Sequence, residues 1–161
     1  MNKYAKLSGA AILASQCALT LAPTATADAT LTLFEHDNVQ YQADLSGPGP
    51  GPGDQFIFAG DVYDRPGGMF LGTMGGSATT LTGNEKSGQT AFNATLNLAG
   101  GQIVVQGVVD TAAVIVRGDR VPISIVGGTG IYQNASGTGT IQVPPEVPNQ
   151  TDANLVLNLT G

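Results

Sequence analysis

VPISIVGGTGIYQNASGTG, residues 121–139, is the stretch on which the fold turns. Ile123, Ile125 and Val126 make a short apolar strand that runs into Gly127-Gly128-Thr129-Gly130. Tyr132 follows, then small residues, and Gly137 opens a second strand. Glycine at this density lets the backbone take positive φ and turn sharply, so the spacing reads as a strand-to-strand corner in a β protein. A phosphate-binding loop does not fit. The pattern is not a P-loop, it is not a GxGxxG that opens a helix, and no lysine follows.

Strands flank the corner on both sides. Upstream, Thr90–Ala99 alternates cleanly, with Phe92, Ala94, Leu96 and Leu98 against Ala91, Asn93, Thr95 and Asn97. Gly100-Gly101 turns the chain and Gln102–Asp110 returns as a partner strand, a strong hairpin signal. Arg117-Gly118-Asp119-Arg120 reads as a charged loop, and its RGD triplet carries little information alone. Downstream, Thr138–Val143 is a strand, Pro144–Pro148 a proline-rich loop, and Ala153–Leu159 a closing strand with Leu155, Leu157 and Leu159 on one face. Nearer the start, Gln55–Val62 puts Phe56, Phe58 and Val62 on one face, with Gly60 marking a bend or close approach. Met69–Leu81 is a strand expected to break near Gly75-Gly76, and Thr82–Gly88 a polar turn. Gly47–Gly53 alternates glycine and proline, so it cannot join a central strand. It reads as an exposed insertion or as a lid over a barrel mouth.

The sum is about eight short strands and no long helical pattern. An all-β, eight-stranded antiparallel β-barrel is the most economical arrangement, because closure removes both edges; a sandwich is the alternative on spacing alone. The 161 residues suffice for one domain with a real core. Charged residues are 11% of the chain and the formal net charge is −6, which argues against nucleic acid or an anionic membrane as partners.

The N-terminus has the form of a secretory signal. Lys3 and Lys6 precede an apolar run, Leu7–Leu21, too short to span a bilayer, and Ala25-Thr26-Ala27 fits a cleavage site. Cleavage after Ala27, or after Ala29, leaves a single domain from residue 28 to 161 that is secreted. Cys17 is the only cysteine and lies in the removed segment; Gln16 before it does not suit a lipoprotein signal. The mature chain then has no disulfide, no thiol nucleophile and no cysteine metal site. One histidine, His36, excludes a histidine-based zinc site. Four glycosylation sequons, at Asn93, Asn134, Asn149 and Asn158, are frequent by chance in such a composition.

Chemistry is most plausible in the first strand, TLTLFEHD, residues 30–37. Alternation puts Leu31, Leu33, Glu35 and Asp37 on one face and Thr30, Thr32, Phe34 and His36 on the other. The leucines mark the first face as the core side. Two carboxylates there are costly unless paired or used, although a strand ending before Glu35 would leave both in water.

With the strands laid out, the chain resembles the allene oxide cyclase and dirigent barrel superfamily. LTLFEHD is similar to the cyclases' opening strand, FAGDVYD to their second, and Gly101–Gly107 (GQIVVQG) to a G-x-I-x-V-Q-G strand. Ile125–Tyr132, with Ala135 and Gly137, is similar to the GGTG corner of both branches. The resemblance implies an eight-stranded barrel, often a homotrimer, with an apolar cavity. It implies a catalytic role for Glu35, with Asp37 where the cyclases have asparagine; the cyclases' pocket cysteine has no counterpart. The dirigent branch implies pocket aspartates and an arginine, for which Asp110 and Arg117 are candidates. The expected function is a secreted barrel that binds a small apolar organic molecule and directs its cyclisation or isomerisation. Glu35 and Asp37 act in it, Leu33, Phe56, Phe58 and Tyr132 line the pocket, and no metal or organic cofactor is needed. Dirigent-like guidance of reactive phenolic intermediates, or a noncatalytic barrel, are the alternatives.

Overall fold

The computed structural model describes residues 28–84, 86–145 and 152–160. The expected signal segment, Cys17 and the sequon at Asn149 lie outside them. Eight strands follow in order: β1 (Ala29–Ala43), β2 (Gln55–Tyr63), β3 (Phe70–Asn84), β4 (Ser87–Leu98), β5 (Gly101–Asp110), β6 (Val121–Gly128), β7 (Ser136–Gln142) and β8 (Ala153–Thr160). Each pairs antiparallel with the next, and β8 pairs back with β1, so the sheet closes into a barrel. A short π-helix, Ala112–Val116, lies between β5 and β6, and a 3-10 turn, Gly130–Tyr132, between β6 and β7.

The alternation read from the sequence sets the register. Phe92, Ala94 and Leu96 on β4 face inward, as do Ile103 and Val105 on β5 and Leu155, Leu157 and Leu159 on β8, and all are buried. Two expectations change. β3 runs unbroken through Gly75-Gly76, which pair with Ala59 and Phe58 on one side and with Thr95 and Ala94 on the other. A hydrogen-bonded neighbour on each side holds glycine in extended form despite its weak strand preference. The polar turn is also tighter than expected, because β3 and β4 continue to Asn84 and Ser87.

The interior is divided along the barrel axis. At one end Leu96, Ile103, Leu155, Leu157, Val62 and Val105 are all under 2% exposed and fill the lumen. Each such side chain contributes roughly 1.5–3 kcal/mol on burial. The glycine corner closes this end: Thr129 N–H donates to Gln102 O at 2.9 Å, Ile131 N–H to Gly100 O at 2.9 Å, and Tyr132 and Ala135 are buried beneath. Gly130 takes φ +64° with its Cα against Gly100 and Gly101, a place no Cβ fits. At the other end the lumen is open.

Candidate active site

The open half holds a cavity of about 290 Å³. Its wall is mostly apolar: Phe56, Phe58 and Phe92, with Met74, Val109, Ile141 and Val143. The three rings stand near-parallel, Phe56 to Phe58 at 6.1 Å and 21°, Phe58 to Phe92 at 5.8 Å and 7°. Phe58 reaches Phe92 across β3 because Gly76 lies between them, opposite Phe58 on one side and Ala94 on the other. The polar lining is sparse: Glu35 and Asp37 from β1, then Gln42, Asp54, Gln55, Thr80, Thr90 and Thr111.

Glu35 lies deepest among these acids and is 1% exposed. It faces Val62 of β2 and Ala153 of β8 in the ladder. Oε1 packs over the bare Cα of Gly60 and meets no hydrogen-bond partner among the described residues. Burial in this apolar surround pushes the carboxyl up to about 9, reinforced by a hydrogen bond to Asp37 and by the charges of Asp37, Asp152 and Asp61. That rise favours the protonated carboxyl at neutral pH. Asp37, nearer solvent, is also raised by burial, while its hydrogen bonds to Glu35 and Gln40 work against the rise. Two carboxyl groups sharing one proton is the expected state of such a pair.

A bulge in β1 between Asp37 and Val39 sets this arrangement. The extra residue reverses the alternation, so Gln42 lines the cavity while Val39 and Tyr41 are turned outward and exposed. Gln40 Nε2 donates to Asp37 Oδ2 at 3.2 Å. Behind the strand, Asp152 Oδ1 accepts from the Asp37 N–H at 3.2 Å and contacts His36 Nδ1 at 3.0 Å, fixing the backbone that carries both acids.

At the mouth, the glycine-proline segment is an exposed insertion, as expected, pinned at its base, and it does not line the cavity as a lid would. Asp54 accepts from the N–H groups of Leu45, Ser46 and Gly51 at 2.8, 2.9 and 2.7 Å, and Gly53 N–H donates to Thr80 O at 2.8 Å. The Gly51 donor, then those of Ser46 and Leu45, hold Asp54 down at about 2. Opposite, Asp110 Oδ1 accepts from Ala113 N–H at 2.7 Å and starts the π-helix, whose Val114 and Ile115 complete the rim. Thr90 and Thr111 join hydroxyl to hydroxyl at 2.8 Å.

Of the residues singled out in the sequence, Glu35, Asp37, Phe56 and Phe58 meet on one cavity wall. Leu33 and Tyr132 do not line it. Leu33 is one strand step below Glu35, inside the filled half, and Tyr132 belongs to the plug at the closed end. Asp110 and Arg117 are also outside the lining; Arg117 pairs with Asp119 at 2.7 Å and Asp110 at 3.8 Å, which ties up the RGD triplet as well. Phe92, Asp54, Ile115 and Asp152 were missed. Phe92 was accessible, since it heads the same inward alternation as Leu96. Asp152 left no local signal, because it acts on β1 from 115 residues away. Among the described residues no three His, Cys, Asp or Glu side chains are grouped to hold a metal.

Fold and site together are those of a closed antiparallel barrel with a cavity and a buried acid on its first strand. The allene oxide cyclase barrel like domain matches residues 35–157, and the chain belongs to that family. No curated protein matches its sequence. Among solved structures it is similar to a pyocyanin demethylase, 25% identical with a TM-score of 0.67 over 82% of this chain and 100% of that one. The Diels–Alderase AbmU from Streptomyces koyangensis is 21% identical, with a TM-score of 0.62 over 83% of this chain and 69% of that one. A pterocarpan synthase dirigent protein is 17% identical, with a TM-score of 0.63 over 82% and 92%. These last two likenesses concern the fold.

Proposed function

We propose that this barrel is a secreted cyclase or isomerase that encloses a small apolar organic substrate and uses Glu35 as its acid. The observation that carries the reading is a carboxyl, 1% exposed and raised by burial, on the wall of a mostly apolar cavity. Such a group donates to a carbonyl, epoxide or ether oxygen as negative charge develops there, in surroundings where the interaction is strong. Because an isomerisation leaves the atom count unchanged, the proton given to that oxygen is matched by one the substrate gives up, which Asp37, nearer solvent, accepts and passes back to Glu35 after turnover. The cavity wall holds the substrate in one conformer and so sets the product's stereochemistry. Export rests on the sequence of the first residues alone.

Dirigent-like guidance is less well supported, because Asp110 and Arg117 are engaged at the rim, outside the cavity. A merely structural barrel would have no reason to leave half its lumen open around a buried acid.

Incubating the pure protein with a panel of epoxides and conjugated polyenes, with no oxidase present, tests the reading. Turnover is expected, with kcat falling as pH rises through about 9 and dropping by about 10²–10⁴-fold in Glu35→Gln. Turnover unchanged in rate and stereochemistry in that variant removes Glu35 from the chemistry. A stereochemical effect seen only with an added oxidase favours the dirigent reading.

A further inference from the structure

The cavity also constrains what it admits, given that it is the substrate site. Its volume of about 290 Å³ is nearly double the roughly 150 Å³ that receives one benzene in a dry apolar core. Three near-parallel rings, Phe56, Phe58 and Phe92, stack in a row along one side. A flat aromatic ligand extends such a row by stacking on its end ring, a gain beyond the area it buries. The ionisable groups of the lining are all acids. Glu35, Asp37 and Asp54 line the cavity, and among the described residues no lysine, arginine or histidine does. The cations nearest the mouth in the chain do not reach in: Arg117 is paired with Asp119, and Arg120 Nη2 contacts Gln142 Oε1 at 3.5 Å. A carboxylate entering would lose its water and find no counter-charge, only acids. At the deep end, by contrast, Glu35 Oε1 is buried without a partner, over Gly60.

We propose that the cavity takes a planar aromatic molecule of about two to three fused rings, bearing a hydrogen-bond acceptor and no negative charge. Its face stacks on Phe92 at the end of that row, its acceptor atom meets the Glu35 carboxyl, and its far edge reaches the Thr90 and Thr111 hydroxyls at the rim. Long-chain carboxylates are excluded by the same lining, which separates this barrel from a cyclase of fatty-acid epoxides.

The test is a binding series with three probes at mildly alkaline pH: acridine, a ring-substituted acridine carboxylate, and decanol as an uncharged aliphatic of similar reach. Acridine is expected to bind, and its carboxylate at least about tenfold more weakly. Phe92→Leu, which keeps the core filled but removes a ring, weakens acridine by about two- to tenfold and leaves decanol nearly unchanged. Phe58→Leu repeats the comparison should the first variant fold poorly. Decanol or the acridine carboxylate binding as tightly as acridine overturns the proposed class while the cavity stands as a binding site. No binding by any probe overturns the class and the substrate-site reading together.

Discussion

Glu35 is where the two halves of the interior meet. One strand step toward the closed end is Leu33, 3% exposed and packed in the core; one step toward the mouth is Asp37, partly exposed. The alternation of Leu31, Leu33, Glu35 and Asp37 made their common face legible from the sequence. Depth was not legible, because a period of two gives the side of a strand and says nothing of distance along the barrel. For that reason the pocket position expected of Leu33 does not hold, and the residue belongs to the core. Gly60 is the second residue that decides the site. A Cβ there would strike both Glu35 Oε1 and the His36 carbonyl oxygen. Gly60→Ala is expected to cost about 1–3 kcal/mol of stability by overpacking, read by urea denaturation, and to push the Glu35 carboxyl from its place. An alanine variant as stable as the wild type would show that the approach is loose and that Glu35 is not held there.

At the scale of elements, strands were easier to read than the pieces between them. The β4–β5 hairpin, the glycine corner and β8 follow from alternation and turn residues. The β1 bulge and the π-helix Ala112–Val116 do not. A bulge is one extra residue without a composition of its own, and the five residues of the π-helix, AAVIV, fit a buried strand equally well. Both sit at the site, where such irregularities often occur. The π-helix places Ile115 on the cavity rim while leaving it 50% exposed. That position suits a side chain that narrows the entrance without supporting the core. Ile115→Ala is expected to change stability by no more than about 0.5 kcal/mol and to speed release of a bound aromatic probe severalfold in stopped-flow displacement. Unchanged release with lost stability would make Ile115 a core residue instead.

For the whole molecule, closure of the sheet does two jobs. It pairs all eight strands with no edge left over, and it places Glu35 in an enclosed lumen, which a flat sheet would not. The inward faces were legible because a strict two-residue period repeats through most strands; the family, and with it the barrel over a sandwich, was legible only through the resemblance of motifs such as GQIVVQG and the GGTG corner. The split into a filled and an open half was not, because it depends on where eight separate strands stop relative to one another. The raised Glu35 carboxyl is a property of that closed, half-filled lumen: in the unfolded chain the same group titrates near its ordinary 4.5. The most direct test is to follow the side-chain carboxyl carbons of Glu35 and Asp37 by carbon-13 NMR in the folded protein as pH is raised. The account predicts that Glu35 keeps its proton through neutral pH and releases it near 9, with Asp37 responding to the same step. A Glu35 midpoint near 4.5, with the barrel intact, would mean that the carboxyl is hydrated and ionised, and would contradict its role as the acid of the cavity.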